Sequence, residues 1–277
     1  MFELPPLPKL GEIIARHGLD ARKSLGQHFL LDENLTARIV AMAGELAGRQ
    51  VVEVGPGPGG LTRPLLRSAA AHITAVEIDP RAAEAIRELV AAAAGRLSLI
   101  EQDALTLDLA ALVSAPRQII ANLPYNVASP LLVGWLRQAA QWERLTLMFQ
   151  LEVAERITAA PGSDEYGRLG VLAQWVCNAN IVMRLPPEAF SPPPKVWSAV
   201  VRLDPRADQP APRLFKAMEK VTAAAFGQRR KMLRSSLKSL GGQALLDQAG
   251  IDGTRRAETL DGAEFERLAK IVDHQGR

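Results

Sequence analysis

Apolar residues follow two different spacings along the first two thirds of the chain. Short runs rich in Val, Ile and Leu predict strands at 51–54, 72–78, 97–101, 118–121 and 145–150. Between them, apolar residues at helical spacing predict helices at 35–46, 61–70, 81–94 and 129–137. Strands that alternate with helices form βαβ units with right-handed crossovers. The pattern therefore predicts an α/β domain with a doubly wound parallel sheet covered on both faces.

The pattern changes near residue 204. A polar, proline-bearing stretch at 204–210 predicts a linker. Beyond it, helical spacing returns at 214–226, 231–240, 244–249 and 263–272. We therefore expect two domains, an α/β domain at 1–204 and a small all-helical C-terminal domain at 205–277.

Composition narrows the class of protein. The chain is 48% apolar and has no long uninterrupted apolar run, so no membrane span is predicted. The first residues, Met1 to Pro6, lack the pattern of a signal peptide, and we expect a cytoplasmic protein. The single cysteine, Cys177, excludes a disulfide within the chain and a zinc site built from cysteines. We expect it to be buried, and we predict no metal site.

Charge is divided unevenly between the two predicted domains. Residues 205–277 hold 14 of the 33 Lys and Arg residues but 9 of the 30 Asp and Glu residues, which gives +5 against −2 for residues 1–204. A basic tail favours a polyanionic partner, although a merely solvated basic surface explains the charge equally well.

A glycine-rich loop follows the first predicted strand. The glycines at 55, 57 and 60 permit a tight turn and close approach of a ligand, and their spacing fits the fingerprint of dinucleotide-binding loops. Pro56 and Pro58, however, remove N–H donors that would hold a pyrophosphate, which counts against NAD. The loop by itself leaves the cofactor undecided.

Two acidic residues end the next two predicted strands. Glu77 can accept hydrogen bonds from both hydroxyls of a ribose, as NAD and S-adenosylmethionine would each require. Asp103 follows the third strand, where an adenine amine could donate to it. Together with a loop unsuited to pyrophosphate, this set favours S-adenosyl-L-methionine, a nucleoside with a small charged tail. The alternative for Asp103 is a role as the cap of the next helix.

The tetrapeptide Asn122-Leu123-Pro124-Tyr125 follows a buried strand. An adenine N6 amine is a weak nucleophile, and two acceptors that hold its hydrogens would make it more reactive. The side-chain carbonyl of Asn122 and the main-chain carbonyl of Leu123 are the candidate acceptors, with Pro124 restricting Leu123 to an extended conformation. Tyr125 offers a flat face for an extruded base. The alternative is an ordinary turn.

Several motifs in one order resemble the ribosomal RNA adenine dimethyltransferase family, from about residue 23 to about residue 238. The motifs are Lys23-Ser24-Leu25-Gly26-Gln27-His28-Phe29-Leu30, the glycine loop, Val76-Glu77-Ile78-Asp79, Gln102-Asp103-Ala104, Asn122-Leu123-Pro124-Tyr125-Asn126, Tyr166-Gly167-Arg168-Leu169 and Phe190-Ser191-Pro192-Pro193-Pro194-Lys195-Val196. The resemblance implies a Rossmann-like S-adenosylmethionine methyltransferase. Its expected substrate is a pair of neighbouring adenosines near the 3′ end of 16S rRNA in the small (30S) ribosomal subunit.

The resemblance also implies roles for individual residues. We expect cofactor binding by His28, Leu30, Gly55, Glu77, Asp103 and Asn122. The family usually has Asn where His28 stands. Imidazole cannot reproduce the donor and acceptor pair of an amide, so we expect a cofactor affinity that depends on pH.

Two further sets of residues are candidates for contact with the substrate. Phe190, at the head of a proline-rich loop, is a second stacking surface opposite Tyr125 or, alternatively, an anchor of that loop in the core. The basic segment at 228–234 contains cations that could bind rRNA phosphates or could be ordinary exposed charges, namely Arg229, Arg230, Lys231 and Arg234.

Other functions stay open at this point. A DNA adenine methyltransferase typically has an acidic first residue in this tetrapeptide and needs a larger domain to read the major groove. A non-enzymatic assembly factor of the small subunit is a second alternative. A third is methylation of large-subunit rRNA, which residue chemistry does not separate from the small-subunit reaction. We expect the protein to be a monomer.

Overall fold

The computed structural model describes residues 5–19, 28–228 and 230–275. Within these ranges the chain forms nine strands. In chain order they are β1 (Phe29–Leu30), β2 (Gln50–Val54), β3 (His72–Glu77), β4 (Leu97–Glu101), β5 (Arg117–Asn122), β6 (Arg144–Gln150), β7 (Cys177–Leu185), β8 (Phe190–Ser191) and β9 (Ser198–Pro205).

The same ranges contain twelve α-helices. They are α1 (Leu10–Arg16), α2 (Glu33–Ala41), α3 (Thr62–Arg67), α4 (Pro80–Ala92), α5 (Leu109–Leu112), α6 (Ala128–Leu136), α7 (Leu151–Thr158), α8 (Arg168–Val176), α9 (Pro212–Phe226), α10 (Leu233–Ser236), α11 (Gly242–Ala249) and α12 (Gly262–Gln275).

Seven strands form one sheet in the order β4-β3-β2-β5-β6-β9-β7. The five strands from β4 to β6 in this order are mutually parallel, as the strand and helix alternation predicts. The order reverses beside β2, which makes this α/β sheet doubly wound and brings the ends of β2 and β5 to the switch point where ligands bind. The sequence-predicted fold class is confirmed.

The sheet has two antiparallel strands that the apolar pattern does not predict. β9 pairs with β6, and β7 pairs with β9 at the edge of the sheet. The residues of β7 are mostly half-buried or exposed, so they lack a continuous apolar run. An edge strand of this kind gives a weak signal in the sequence.

Buried side chains cover both faces of the sheet. Val52 and Ile119 belong to a core that also contains α6, α7 and α8, whereas the neighbouring Val51 and Ile120 belong to a core on the opposite face with α2, α3 and α4. All four are fully buried. Burial of each such side chain contributes about 1.5–3 kcal/mol, so the alternation along each strand holds both helical layers to the sheet.

The α2 helix begins at the predicted signal but ends early. The side chain of Asp32 accepts hydrogen bonds from the backbone N–H groups of Asn34 and Leu35, as expected of an N-cap. The helix ends at Ala41 rather than at residue 46. Gly44 has a φ of 74°, and this left-handed conformation turns the chain away from the helical path.

The C-terminal helices pack directly on the α/β body. The chain leaves β9 at Pro205 and enters α9 at Pro212. The ring of Phe215 on α9 lies 5.8 Å from that of Trp175 on α8, and Phe226 contacts Tyr166 at 6.1 Å. One apolar core therefore runs from the sheet into the helical region. Within the described residues, no helix is both long and apolar enough to cross a bilayer.

Candidate active site

The carboxyl ends of β2, β3, β4 and β5 surround a cavity of about 210 Å³. Parallel strands end at the same edge of a sheet, so side chains that follow them converge there. The cavity wall contains most of the residues predicted from the sequence, namely His28, Leu30, Gly55, Glu77, Asp103, Asn122, Leu123, Pro124 and Tyr125.

The glycine loop forms a wall that larger residues would obstruct. Gly55 has a φ of 70° and Gly57 a φ of 54°, conformations that favour glycine. A Cβ on Gly57 would lie 3.1 Å from Cε1 of Phe29, and a Cβ on Gly55 would lie 3.6 Å from Cδ of Pro124. The loop backbone therefore lies close to β1 and to the tetrapeptide. Because the glycines carry no side chains, a ligand in the cavity can approach this backbone.

The carboxylate of Glu77 is held by the backbone. It accepts hydrogen bonds from the N–H groups of Ile78 (2.8 Å), Asp79 (2.9 Å) and Gly57 (3.2 Å). Burial raises the pKa of Glu77, while these three donors stabilise its charged form. The Glu77 side chain thus links the glycine loop to the end of β3, and it forms part of the cavity wall.

Glu53 is a further acid at this cavity that the sequence analysis does not predict. It is 1% exposed, and its Oε2 has no hydrogen-bond partner among the described residues. Burial and the nearby Glu77 raise the pKa of Glu53 to about 8. At pH 7 the carboxyl is therefore mainly neutral and can donate a hydrogen bond. Its position two residues before Gly55, at the end of a buried strand, is the signal that could have identified it.

Asp103 lines the cavity and also caps a helical turn. Its Oδ1 accepts a hydrogen bond from the N–H of Leu105 at 2.9 Å, at the start of the short helical turn 104–106. The capping role considered from the sequence is therefore present. The side chain still belongs to the cavity wall, and the described residues donate no hydrogen bond to its Oδ2.

The side chain of Asn122 has a defined orientation. Its Nδ2 donates to the backbone carbonyl of His28 at 3.2 Å. A carbonyl can only accept, so this contact assigns the amide nitrogen to the β1 side and leaves Oδ1 as an acceptor on the other side. The imidazole of His28 is fixed in turn, because Nδ1 donates to the carbonyl of Pro192 at 2.8 Å.

The rest of the tetrapeptide forms a rigid turn. The carbonyl of Pro124 accepts from the N–H groups of Val127 and Ala128, each at 3.1 Å, and so begins α6. No backbone amide in the described ranges donates to the carbonyl of Leu123. The hydroxyl of Tyr125 lies 2.7 Å from Oγ of Ser198, and its half-buried ring lies 5.5 Å from that of His28.

Phe190 lies apart from the cavity wall. Its side chain is 4% exposed and packs in the core, with its ring 6.5 Å from and edge-on to that of His28. Phe190 begins β8, which pairs with β1. This buried position is the one that the alternative considered from the sequence requires, an anchor of the proline-rich loop in the core. His28 lies within ring-contact distance of both Tyr125 and Phe190.

The predicted RNA-binding cations lie at the start of the helical region. Arg230, Lys231 and Arg234 are exposed, and none forms an ion pair with another residue in the described ranges. Arg229, the fourth member of the set, lies outside the described residues. The N–H of Leu233 donates to the carbonyl of Arg255 at 2.8 Å, which brings the 252–256 turn beside this segment.

The remaining groups of chemical interest are the metal-ligating side chains and the single cysteine. Within the described ranges, no cluster of His, Cys, Asp and Glu has the geometry to hold an ion. Cys177 is fully buried, as predicted, and burial raises the pKa of its thiol to about 12. The thiol is therefore an apolar core group.

A doubly wound sheet with a glycine-loop cavity and an Asn-Leu-Pro-Tyr turn at its switch point is a Rossmann-like methyltransferase fold. The model of the ribosomal RNA adenine dimethylase family matches residues 18–274, and the chain belongs to that family.

Curated relatives and solved structures agree with this assignment. The chain is 66% identical over 265 residues to ribosomal RNA small subunit methyltransferase A of Gluconobacter oxydans, covering 96% of this chain and 88% of the relative. Identity to the protein of that name from Rhodospirillum rubrum is 55%, with 98% and 94% covered. The crystal structure of the 23S rRNA methyltransferase ErmE is similar with a TM-score of 0.65, 29% identity and coverage of 88% and 99%.

The fold also matches the crystal structure of a dimethyladenosine transferase from Plasmodium falciparum. The TM-score is 0.76 at 24% identity, over 90% of this chain and 98% of that one. At this identity the similarity describes the fold.

Proposed function

We propose that this chain transfers methyl groups from S-adenosylmethionine to the N6 amines of two adjacent adenosines near the 3′ end of 16S rRNA in the small subunit, giving N6,N6-dimethyladenosine during ribosome biogenesis. The observation that carries the proposal is the orientation of Asn122, whose Nδ2 donates to the His28 carbonyl and so leaves Oδ1 as an acceptor. The carbonyl of the next residue, Leu123, accepts from no backbone amide in the described ranges. The small-subunit substrate rests on the names of the relatives. Ribosome assembly also makes the cytoplasm the expected compartment.

The cavity fits the proposed cofactor. The positive-φ glycines let the backbone approach a ligand closely, and the buried Oε2 of Glu53 lacks a partner in the described residues. In the proposed arrangement Gly55 faces the methionine part, Glu77 accepts from the ribose hydroxyls and Oδ2 of Asp103 accepts from the adenine amine. His28 and Leu30 close the cavity from the β1 side. The cofactor supplies an electrophilic methyl group on a sulfonium.

Asn122 and Leu123 prepare the nucleophile. The Oδ1 of Asn122 and the carbonyl of Leu123 accept the two N6 hydrogens of the target adenine, which draws the nitrogen from planar towards tetrahedral geometry and frees its lone pair. Pro124 keeps the Leu123 carbonyl aimed, because the residue before a proline is restricted to extended conformations. After transfer, the cationic N6 is a strong acid and releases its proton to water, so no dedicated base is needed.

Tyr125 provides the face on which the extruded adenine stacks. Its hydroxyl contact with Ser198 fixes the ring. Phe190 supports this arrangement from the core, through its edge contact with His28.

The helical region 205–277 is proposed to bind the ribosomal RNA. Arg229, Arg230, Lys231 and Arg234 would contact phosphates, which positions the protein without reading sequence. Arg255 contributes less, because its guanidinium is already paired with Glu264 at 2.6 Å. We expect the protein to act as a monomer.

The decisive experiment is incubation with isotopically labelled cofactor and 30S particles from a strain that lacks this modification, followed by mapping of the modified bases. Two dimethylated neighbouring adenosines near the 3′ end of 16S rRNA are expected. Label in 23S rRNA or DNA would instead assign the chain to another adenine methyltransferase. Binding to 30S particles with no transfer of label would indicate an assembly factor.

A further inference from the structure

The segment Pro192–Trp197, here called the rim loop, is anchored at both ends to the active site. At its start, the carbonyl of Pro192 accepts a hydrogen bond from Nδ1 of His28 at 2.8 Å. At its end, the carbonyl of Trp197 accepts from the N–H of Leu151 at 2.8 Å. The next residue, Ser198, holds the Tyr125 hydroxyl at 2.7 Å. The loop is therefore positioned by two residues that line the catalytic cavity.

Sheet topology places the end of the rim loop at the catalytic edge. β9 runs antiparallel to β6, so its first residue, Ser198, pairs with Gln150, the last residue of β6. β6 is parallel to β5, with Met148 opposite Asn122. Trp197 consequently lies just outside the edge of the sheet at which the cavity opens.

The rim loop presents an aromatic ring and a cation to solvent. Trp197 is 48% exposed, whereas Trp135 and Trp142 are 5% and 4% exposed. Lys195 is exposed and has no ion-pair partner in the described ranges. Pro194, which precedes Lys195, is buried and, with the two prolines before it, limits the freedom of the loop. The exposed indole of Trp197 is therefore accessible to a ligand, and the stiffened backbone of the loop reduces the entropy lost on binding.

We propose that the rim loop binds the rRNA strand beside the target adenosine, with Trp197 stacked on a neighbouring nucleobase and Lys195 on a backbone phosphate. Alternating cations and aromatic rings are the recognition pattern for single-stranded nucleic acid, because every base has a π face and every linkage a charge. Two exposed side chains, Trp197 and Val196, form too small an apolar patch for a stable protein interface. The inference rests on the proposed methylation of rRNA.

The kinetic test compares Trp197→Ala and Trp197→Phe with Leu112→Ala, a control that removes another exposed apolar side chain on α5. With unmethylated 30S particles, Trp197→Ala is expected to raise KM about tenfold with kcat unchanged, and Trp197→Phe is expected to restore KM because a phenyl ring also stacks. Cofactor affinity should be equal in all forms. A KM for Trp197→Ala equal to that of Leu112→Ala would overturn the proposal.

A binding test uses a short oligoribonucleotide with two adjacent adenosines. Its addition should quench tryptophan fluorescence of the wild-type protein and leave that of Trp197→Phe unchanged, since Trp197 is the strongly exposed indole. Lys195→Gln should lower the slope of log affinity against log salt by about one unit. Equal quenching of wild-type protein and Trp197→Phe would refute the stacking contact. A wild-type protein that methylates no particle would reject the proposed function instead, so the two failures are distinguishable.

Discussion

The side-chain amide of Asn122 donates to the backbone carbonyl of His28, with an Nδ2–O distance of 3.2 Å across 94 positions of sequence. This contact joins the end of β5 to the start of β1 and decides which end of the Asn122 amide faces the cavity. The imidazole of His28 itself donates through Nδ1 to the carbonyl of Pro192, and its ring lies beside that of Tyr125. The N-terminal segment therefore orients the tetrapeptide.

Asn122→Ala removes one of the two proposed acceptors of the adenine amine. Loss of a single transition-state hydrogen-bonding group commonly lowers kcat by about 100- to 1000-fold, and we expect a fall of that size in methyl transfer. Binding to 30S particles should persist, because the basic segment is unchanged. Asn180→Ala, at an exposed position of the edge strand β7, is the control. Full activity of Asn122→Ala would remove this residue from the mechanism.

Gly57→Ala should reduce cofactor affinity beyond the cost of its backbone strain. Gly57 has a φ of 54°, which an alanine adopts only with strain. The new Cβ would also lie 3.1 Å from the Phe29 ring and would push the loop away from β1. Gly250→Ala is the matched control, with a φ of 63° and open space around the Cβ. Each should lose about 1–2 kcal/mol of stability. Because the displaced loop no longer fits the cofactor, Gly57→Ala should bind it about tenfold or more weakly than Gly250→Ala. Equal cofactor affinities of the two variants would contradict this prediction.

Glu53→Gln should change how stability depends on pH. The folded state holds a proton on Glu53 up to a pKa of about 8, whereas the unfolded chain releases it above the ordinary value of 4.5. Rising pH between these values therefore favours the unfolded state, by up to about 1.4 kcal/mol per pH unit from this one group. Glutamine carries no ionisable proton, so the stability of Glu53→Gln should fall less steeply as the pH rises.

Urea unfolding of the cofactor-free protein at several pH values measures the effect of Glu53→Gln. Glu188→Gln, at an exposed position, should keep the wild-type pH dependence. An unchanged pH dependence in Glu53→Gln would show that the buried carboxyl does not retain its proton.

Replacement of Arg230, Lys231 and Arg234 by Gln should weaken binding to 30S particles. Three lost phosphate contacts would lower the slope of log affinity against log salt by about two units, with cofactor affinity unchanged. Lys216→Gln with Lys220→Gln, two exposed cations of α9, is the control for net charge. Filter binding between low and moderate salt measures both sets. An equal loss in the control would assign the effect to overall charge rather than to this segment.

The sequence by itself determines the parallel part of the fold and nine of the residues that line the cavity. The β4 strand is predicted over its full range, and the glycine loop, Glu77, Asp103 and Asn122 are each predicted to lie at the end of a strand. These features are local: strand and helix periodicities, glycine turns and strand ends are encoded within a few residues. Because parallel strands must end at one edge, locally predicted positions suffice to bring distant side chains together.

The tertiary structure decides what depends on long-range contacts. The antiparallel pairing of β7 and β9 depends on partners rather than on a local apolar pattern. The raised pKa of Glu53 requires burial from all sides, and the covered position of Phe190 requires the pairing of β8 with β1. The orientation of Asn122 likewise depends on His28. Only the folded chain brings these groups to hydrogen-bonding and packing distance, where burial and direct contact fix their charge and direction.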